Sequence, residues 1–257
     1  MKTFLAAAML IGLLVPHGLA ATGGAVPPPG AVDSTAIAEL FTEALTQVQQ
    51  DDLEGARKTL LTITAHPAFD VGANAAKFGV LTYLGMVEAS LGELDSAFDH
   101  LLHAGRLAPQ GRGADYWTIL AAVSGKLGED DTLVESVLVL IRDHAADASE
   151  WEELVVEARR SASRLAYGTG RHLDLLEALW ETQFEPTSPY ATSQGHWFEL
   201  LTVYAAADDD AKARVVLPAI VRPDLLAALS YDARFDRLGP AEPGPAFAAA
   251  LYEDIAA

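Results

Sequence analysis

Residues 78–109 contain two segments whose apolar residues recur at helical spacing, and a glycine separates them. Leu81 and Leu84 share one face of the first segment, and Gly92 follows it where a helix-ending glycine is expected. The second segment repeats apolar residues at three- and four-residue steps and ends at Pro109. Each helix therefore has one apolar face that must be buried. The pattern predicts two antiparallel helices joined by a tight turn.

The same pattern recurs along the chain. Taking Ala56, Ala97, Leu133, Leu175 and Ala213 as equivalent positions gives spacings of 41, 36, 42 and 38 residues. Recurrence at such a period is typical of proteins built from stacked helical hairpins. The variation in spacing predicts that extra residues lie in the loops between hairpins.

No segment shows the sustained two-residue alternation of a half-buried strand. The one ambiguous stretch is TLVESVLVLIRD, residues 132–143, which is rich in valine. Its Leu133, Val137, Leu140 and Ile141 also fit a helical stripe, and its neighbours are helical, so we predict a helix there. The expected fold class is all-α.

The unit over residues 78–109 resembles a tetratricopeptide repeat (TPR). That family has a large residue and Leu-Gly in the first helix, a glycine before the second helix, and then alanines and a proline at set offsets. The matching residues here are Leu81, Leu84, Gly85, Gly92, Ala97, Leu101, Ala104 and Pro109. The resemblance implies a right-handed superhelical array of hairpins, an α-solenoid, over residues 35–222, with about five hairpins.

Residues 223–257 differ from the repeats and are predicted to form a C-terminal helical cap. The last hairpin of an array leaves an apolar face in water unless a further element covers it. The residues suited to that role are Phe235, Leu238, Phe247, Leu251 and Tyr252. Pro218 lies inside the last predicted second helix and should kink it or end it early.

Residues 1–20 have the features of a secretory signal peptide. Lys2 precedes an apolar run from Phe4 to Val15, and small residues follow at Gly18 and Ala20. The run has 12 residues, which is shorter than a membrane-spanning helix needs. An uncleaved anchor is the alternative. Residues 21–34, with three consecutive prolines, are expected to form an extended leader.

The composition restricts the cellular compartments and the classes of partner that can be expected. The chain has no cysteine, so neither a lipoprotein anchor nor a disulfide is available. No later segment is long and apolar enough to cross a membrane. We therefore expect a soluble protein exported across the inner membrane, in the periplasm if the host is Gram-negative. A net charge of −19 disfavours nucleic acid as a partner.

His100 and His103, with Asp99 beside them, are the candidate metal ligands that the sequence offers. A metal site needs about three convergent ligands and a shell that orients them. These residues lie opposite the apolar face of their helix, so we interpret them as a solvated surface and expect no metal or other cofactor.

The sequence gives no indication of an enzyme. There is no Gly-x-Ser-x-Gly elbow, HExxH motif or phosphate-binding loop, and thiol chemistry is excluded. No catalytic residue is predicted.

The resemblance to TPR proteins places the binding surface on the concave side, which the first helices line. The candidate partner-binding residues there are small, neutral or apolar: Thr82, Met86, Thr118, Ala122, Phe198 and Thr202. They predict apolar contacts with an amphipathic or extended peptide segment. Packing of the array itself is the competing interpretation.

The expected function is a scaffold for protein or peptide binding in the cell envelope. Two alternatives remain open at this point. One is a helical hydrolase or small-ligand-binding protein whose histidines and acids converge only in three dimensions. The other is self-association through stacking of hairpins between chains.

Overall fold

The structure is a computed structural model that describes residues 34–108, 112–143, 151–166, 168, 170–187, 192–230 and 235. These residues form twelve α-helices and one short 3-10 helix. The helices are α1 Ser34–Gln49, α2 Leu53–Thr64, α3 Pro67–Val71, α4 Asn74–Leu91, α5 Leu94–Leu107, α6 Ala114–Leu127, α7 Asp130–Asp143, α8 Glu152–Ala166, α9 Gly170–Glu181, α10 Ser193–Ala206, α11 Asp210–Val216 and α12 Pro223–Ser230; the 3-10 helix is Leu217–Ala219.

The predicted all-α fold class is confirmed, because the described residues contain helices and no strand. The valine-rich segment from residue 132 is helical, within α7, and buries Leu133, Val137, Leu140 and Ile141 as its helical stripe predicted. Ten of the helices pair in chain order. Hairpin 1 is α1 and α2, hairpin 2 is α4 and α5, hairpin 3 is α6 and α7, hairpin 4 is α8 and α9, and hairpin 5 is α10 and α11.

One turn is repeated in hairpins 1, 2, 3 and 5. In each, a residue one or two positions after the first helix has a positive φ, and the next backbone N–H donates to the carbonyl five residues earlier, as in a Schellman motif. The positive-φ residues are Asp51, Gly92, Gly128 and Asp208. The closing bonds run from Asp52 to Gln47, Glu93 to Glu88, Glu129 to Ser124 and Asp209 to Tyr204, at 2.9 to 3.0 Å.

The second helices also start alike. Asp52, Glu93 and Asp209 are the N-cap residues, with φ values of −86°, −84° and −86°. Four residues after the turn's last residue lie Ala56, Ala97, Leu133 and Ala213, all at most 1% exposed. Each donates its N–H at 3.0 Å to the carbonyl four residues earlier. Four of the positions equated from sequence are therefore structurally equivalent.

Small residues set the distance between α4 and α5. A β-carbon on Gly85 would meet the Leu101 side chain and the Ala97 carbonyl. Ala97, Leu101 and Ala104 face α4 and are fully buried. At the other side of α5, a β-carbon on Gly105 would collide with the Tyr116 hydroxyl, which donates to the Leu101 carbonyl at 3.0 Å.

The chain divides into two compact units between Tyr116 and Trp117. In the first unit, α2 packs against both α1 and α4, which joins hairpin 1 to hairpin 2. In the second, α7 packs against α8 and α9, and α9 packs against α10.

The end of the second unit has its own hydrophobic cluster. Leu200, Leu201 and Val216 belong to it, together with Leu229 of α12 and Phe235. α11 ends at Val216, and Pro218 lies in the 3-10 helix, as expected for a proline that cannot continue the α-helix. Of the predicted cap, α12 and Phe235 are described. The rest of the cap, the signal peptide and the leader up to residue 33 lie outside the described residues.

Candidate functional site

The six residues predicted for partner binding lie on three first helices, and all six are half-buried. Thr82 and Met86 are one turn apart on α4, in the first compact unit. Thr118 and Ala122 lie on α6, and Phe198 and Thr202 lie on α10. Half-burial leaves part of each side chain accessible and engages the rest in packing.

Met86 and Phe198 are the two large apolar residues of this set. Phe198 packs against the hydrophobic cluster of the second unit, so part of its ring contributes to the core. Thr202 Oγ1 donates to the Phe198 carbonyl at 2.8 Å, which ties the Thr202 hydroxyl to its own helix. The Thr82 hydroxyl oxygen is buried and meets no hydrogen-bond partner in the part of the chain that the structure describes.

The interpretation of the α5 histidines as a solvated surface is correct for two of three residues and wrong for His100. Asp99 and His103 are exposed. His100 Nδ1 instead lies 2.7 Å from Glu88 Oε2 of α4, and the Glu88 side chain is only 1% exposed. Arg57 of α2 approaches the same carboxylate at 3.6 Å.

Across the described residues, no group of three or more His, Asp or Glu side chains is arranged to hold a metal ion. Glu88 is instead a buried anion with two cationic or hydrogen-bonding neighbours, one from hairpin 1 and one from its own hairpin.

A second buried polar network joins hairpin 4 to hairpin 5 and was not predicted from the sequence. Arg159 comes from α8, His172 from α9, and His196 and Glu199 from α10. His172 and His196 are 0% and 1% exposed. Arg159 Nε lies 3.1 Å from Glu199 Oε2, and His172 Nε2 lies 3.1 Å from Glu199 Oε1.

The hydrogen bonds fix the proton on each histidine. The Gly168 N–H donates to His172 Nδ1 at 2.8 Å, so the His172 proton is on Nε2, which donates to Glu199. Arg159 Nη1 donates to His196 Nδ1 at 2.6 Å, so the His196 proton is on Nε2. That Nε2 is buried and meets no acceptor among the described residues.

Burial, followed by the positive charge of Arg159, lowers the pKa of His196 to about 4. His196 is therefore neutral near neutral pH. Burial acts to raise the pKa of Glu199, but the hydrogen bond from His172 and the charge of Arg159 together lower it. The network thus pairs the Arg159 guanidinium with the Glu199 carboxylate beside two buried imidazoles, which is the balanced arrangement expected inside a helical interface.

A further contact, around Glu177, also joins hairpin 4 to hairpin 5. The Tyr204 hydroxyl and Lys212 Nζ both donate to Glu177 Oε1 at 2.7 Å. Lys212 also lies over the Tyr204 ring, 5.2 Å from its centroid. Burial, together with the neighbouring Glu177 carboxylate, raises the pKa of Tyr204, so this hydroxyl remains a donor.

The outer face of α2 carries an open groove of about 630 Å³ in the first unit. Its apolar lining includes Leu61, Ala65 and Pro67, and Arg57 and Lys58 lie at its side. The groove lies on a second helix, where the resemblance to TPR proteins did not place a binding surface.

The network around Glu199 has a structural role. Glu199 has both oxygens engaged, and the two histidines beside it are buried, so the arrangement orients and cross-links three helices. No local sequence motif marks it, because its members are separated by 13, 24 and 3 residues along the chain. The pair His196 and Glu199, three apart on α10, is the one local signal that could have indicated it.

Among the described helices, none combines the length and the apolar character that crossing a membrane requires.

No protein-family model matches the sequence, and no curated protein matches it. Among solved structures, a similar chain is the Assembly Chaperone of RpL4 (Acl4), residues 1–338, at 17% sequence identity. The match covers 85% of this chain and 97% of that chain, with a TM-score of 0.32. At that score the similarity has no bearing on the function of this protein.

Proposed function

We propose that this protein is an exported, soluble TPR-like scaffold that binds a protein or peptide segment in the cell envelope, without catalysis of its own. The observation that supports the proposal best is the series of consecutive helix hairpins whose first helices present half-exposed apolar side chains. Met86 on α4 and Phe198 on α10 are the largest of these. Residues 1–20 have the features of a secretory signal, which supports export and, in a Gram-negative host, the periplasm.

The chemistry of these side chains suggests the kind of partner. Thr82, Met86, Ala122 and Phe198 offer apolar and neutral contacts, which suit the apolar side of an amphipathic or extended segment. The strongly acidic composition, with a net charge of −19, argues against nucleic acid as that partner.

The test is crosslinking in the envelope of the native host, followed by identification of stoichiometric partners. We expect Met86→Glu and Phe198→Glu to abolish capture of the partner, because each buries a carboxylate in an apolar contact. Ser90→Glu on α4 and Ala206→Glu on α10 introduce the same charge at exposed positions and serve as matched controls. Retained capture by a folded Met86→Glu, Phe198→Glu double variant would refute the role of these residues.

The buried network of Arg159, His172, His196 and Glu199 favours a second candidate, a small-ligand-binding or hydrolytic function. It brings perturbed titratable groups together, which is a recognised feature of functional sites. Thermal-shift screening of wild type and His196→Asn against small acids, amides and esters tests this. Stabilisation of wild type alone would support this candidate.

A further inference from the structure

The junction between hairpins 4 and 5 contains a buried hydrogen bond from Arg159 to a histidine nitrogen, Nδ1 of His196. We propose that this junction is an acid-sensitive latch, in which neutral His196 holds hairpin 5 against hairpin 4 and protonated His196 releases it. The proposal does not depend on the scaffold function, because it concerns how one part of the fold is held closed.

The latch rests on the bond between Arg159 and His196. Arg159 Nη1 donates to the lone pair of His196 Nδ1 at 2.6 Å. A proton on Nδ1 would occupy that lone pair, turn an acceptor into a donor, and place an imidazolium against a guanidinium. Because His196 is 1% exposed, water cannot screen the two charges while the junction is closed.

The charged groups around His196 offer it no replacement partner. From α8, Arg159 opposes the added charge, while Glu152 favours it more weakly. Glu152 already accepts two hydrogen bonds from Thr187. From α10, Glu199 favours the charge, but its two oxygens are engaged by Arg159 and by His172 of α9. The Phe184 ring, which follows α9, contacts His196 edge-on and adds no charge.

Two features make opening accessible. His196 Nε2–H meets no acceptor among the described residues in the closed junction, so exposure to water supplies a hydrogen bond. The low pKa of His196 reflects the same burial and the same Arg159 charge. Protonation and opening are therefore linked, and each favours the other.

Hairpin 2 provides an internal contrast of opposite sign. There His100 Nδ1 faces the Glu88 carboxylate at 2.7 Å rather than a cation. This pair therefore lacks the contact between a guanidinium and an imidazole on which the latch depends. The same acid exposure should therefore leave hairpin 2 closed while hairpin 5 is released.

The test is hydrogen exchange of the full-length protein, read by peptide mass spectrometry and corrected for intrinsic exchange at each pH. His196 should have an ordinary histidine pKa once hairpin 5 is released. The equilibrium constant for release should then increase about 30-fold between about pH 7.5 and about pH 5. We expect that loss of protection in peptides covering α10 and α11, and none in peptides covering α4 and α5. Near-ultraviolet circular dichroism should report the same event through the Trp180 and Trp197 rings, which lie edge-to-face at 5.4 Å across this junction.

The decisive variant is His196→Asn, whose amide oxygen can accept from Arg159 but does not titrate. It should show no acid-dependent release, whereas His103→Asn, at an exposed position on α5, should behave as wild type. Parallel loss of protection in wild type and His196→Asn would overturn the proposal, as would equal loss in all hairpins or no loss in wild type.

A measurement on the unaltered protein covers the case in which His196→Asn does not fold. Nitrogen-15 chemical shifts of the histidine rings report which nitrogen carries the proton at each pH. We expect His196 to be protonated on Nε2 at neutral pH and to charge only as α10 loses protection. Protonation at an ordinary histidine pKa, with α10 still protected, would overturn the proposal.

Discussion

Gly85 and Leu101 approach so closely that a β-carbon on Gly85 would lie 2.7 Å from Leu101 Cγ. The Ala97 carbonyl oxygen would lie only 3.1 Å from the same β-carbon. Because Leu101 is fully buried and the carbonyl belongs to α5, neither can move without disturbing the helix pair. The contact makes Gly85 the residue that fixes the separation of α4 and α5.

Gly85→Ala should therefore lower the free energy of unfolding by about 1–3 kcal/mol, the usual cost of overpacking a core. The loss should appear although alanine is the better helix former by about 1 kcal/mol. Urea denaturation followed by circular dichroism measures it. Gly79→Ala on the same helix is the matched control, since a β-carbon there meets nothing within 4 Å and should stabilise the protein. Equal effects at both positions would contradict the close-approach argument.

Glu88→Gln removes the buried charge that His100 and Arg57 share while keeping the side-chain shape. We expect the free energy of unfolding to fall by about 1–3 kcal/mol, because hydrogen-bonding groups around a 1% exposed site lose a charged partner. Asp99→Asn, at an exposed position on α5, should change it by less than about 0.5 kcal/mol. Chemical denaturation of the two variants side by side makes the comparison. A neutral effect of Glu88→Gln would show that the carboxylate is not part of the stabilising network.

Tyr204→Phe tests the contact between hairpins 4 and 5 at Glu177. The variant keeps the ring under Lys212 and loses the 2.7 Å hydrogen bond from the hydroxyl. Glu177 retains Lys212 as a partner, so the expected loss is about 1 kcal/mol. Tyr83→Phe, whose ring lies edge-on to Phe41, serves as the comparison and should be close to neutral. Thermal unfolding of both variants provides the readout, and equal melting temperatures would argue against a role for the Tyr204 hydroxyl.

The stability of the whole chain should fall in mild acid because of His196. Its pKa is about 4 in the folded protein and 6.5 in the unfolded chain, so the unfolded chain binds the proton first as the pH falls. The stabilisation is complete above pH 6.5 and is lost through the window down to about 4. At about pH 5 the expected loss is about 2 kcal/mol. Urea titrations at several pH values should show this slope in wild type and a shallower one in His196→Asn; identical slopes would assign the effect to other groups.

Much of the helical framework could be predicted from the sequence because glycines and apolar periodicity are local signals. Gly92 and Gly128 indicate two of the turns directly, since glycine adopts a positive φ without steric cost. Asp51 and Asp208 make the same turn but are not distinctive, because aspartate adopts that conformation less often. There the equivalent residues Ala56 and Ala213 gave the register instead.

The polar networks could not be predicted in the same way. Helical periodicity assigns His100 to the face opposite the apolar stripe. It does not show that the buried carboxylate of Glu88 on α4 lies beside His100. Arg159, His172 and Glu199 come from three helices, and their meeting depends on how hairpins 4 and 5 pack. The candidate surface residues such as Met86 and Phe198 were derived from a resemblance, and half-burial is compatible with both packing and binding.

The shared turn has a consequence for engineering this chain. Hairpins 1, 2 and 5 leave the turn with N-cap φ values within 2° of one another, so their backbones share one conformation at that residue. The side chains of the turns differ, because Asp52 and Asp209 accept hydrogen bonds from the N–H groups of Gly55 and Lys212, whereas Glu93 makes no side-chain cap bond. Asp51→Gly and Asp208→Gly would place glycine at the two positive-φ positions, keep both N-cap hydrogen bonds and leave every interior side chain unchanged, which offers a route to a more heat-resistant protein.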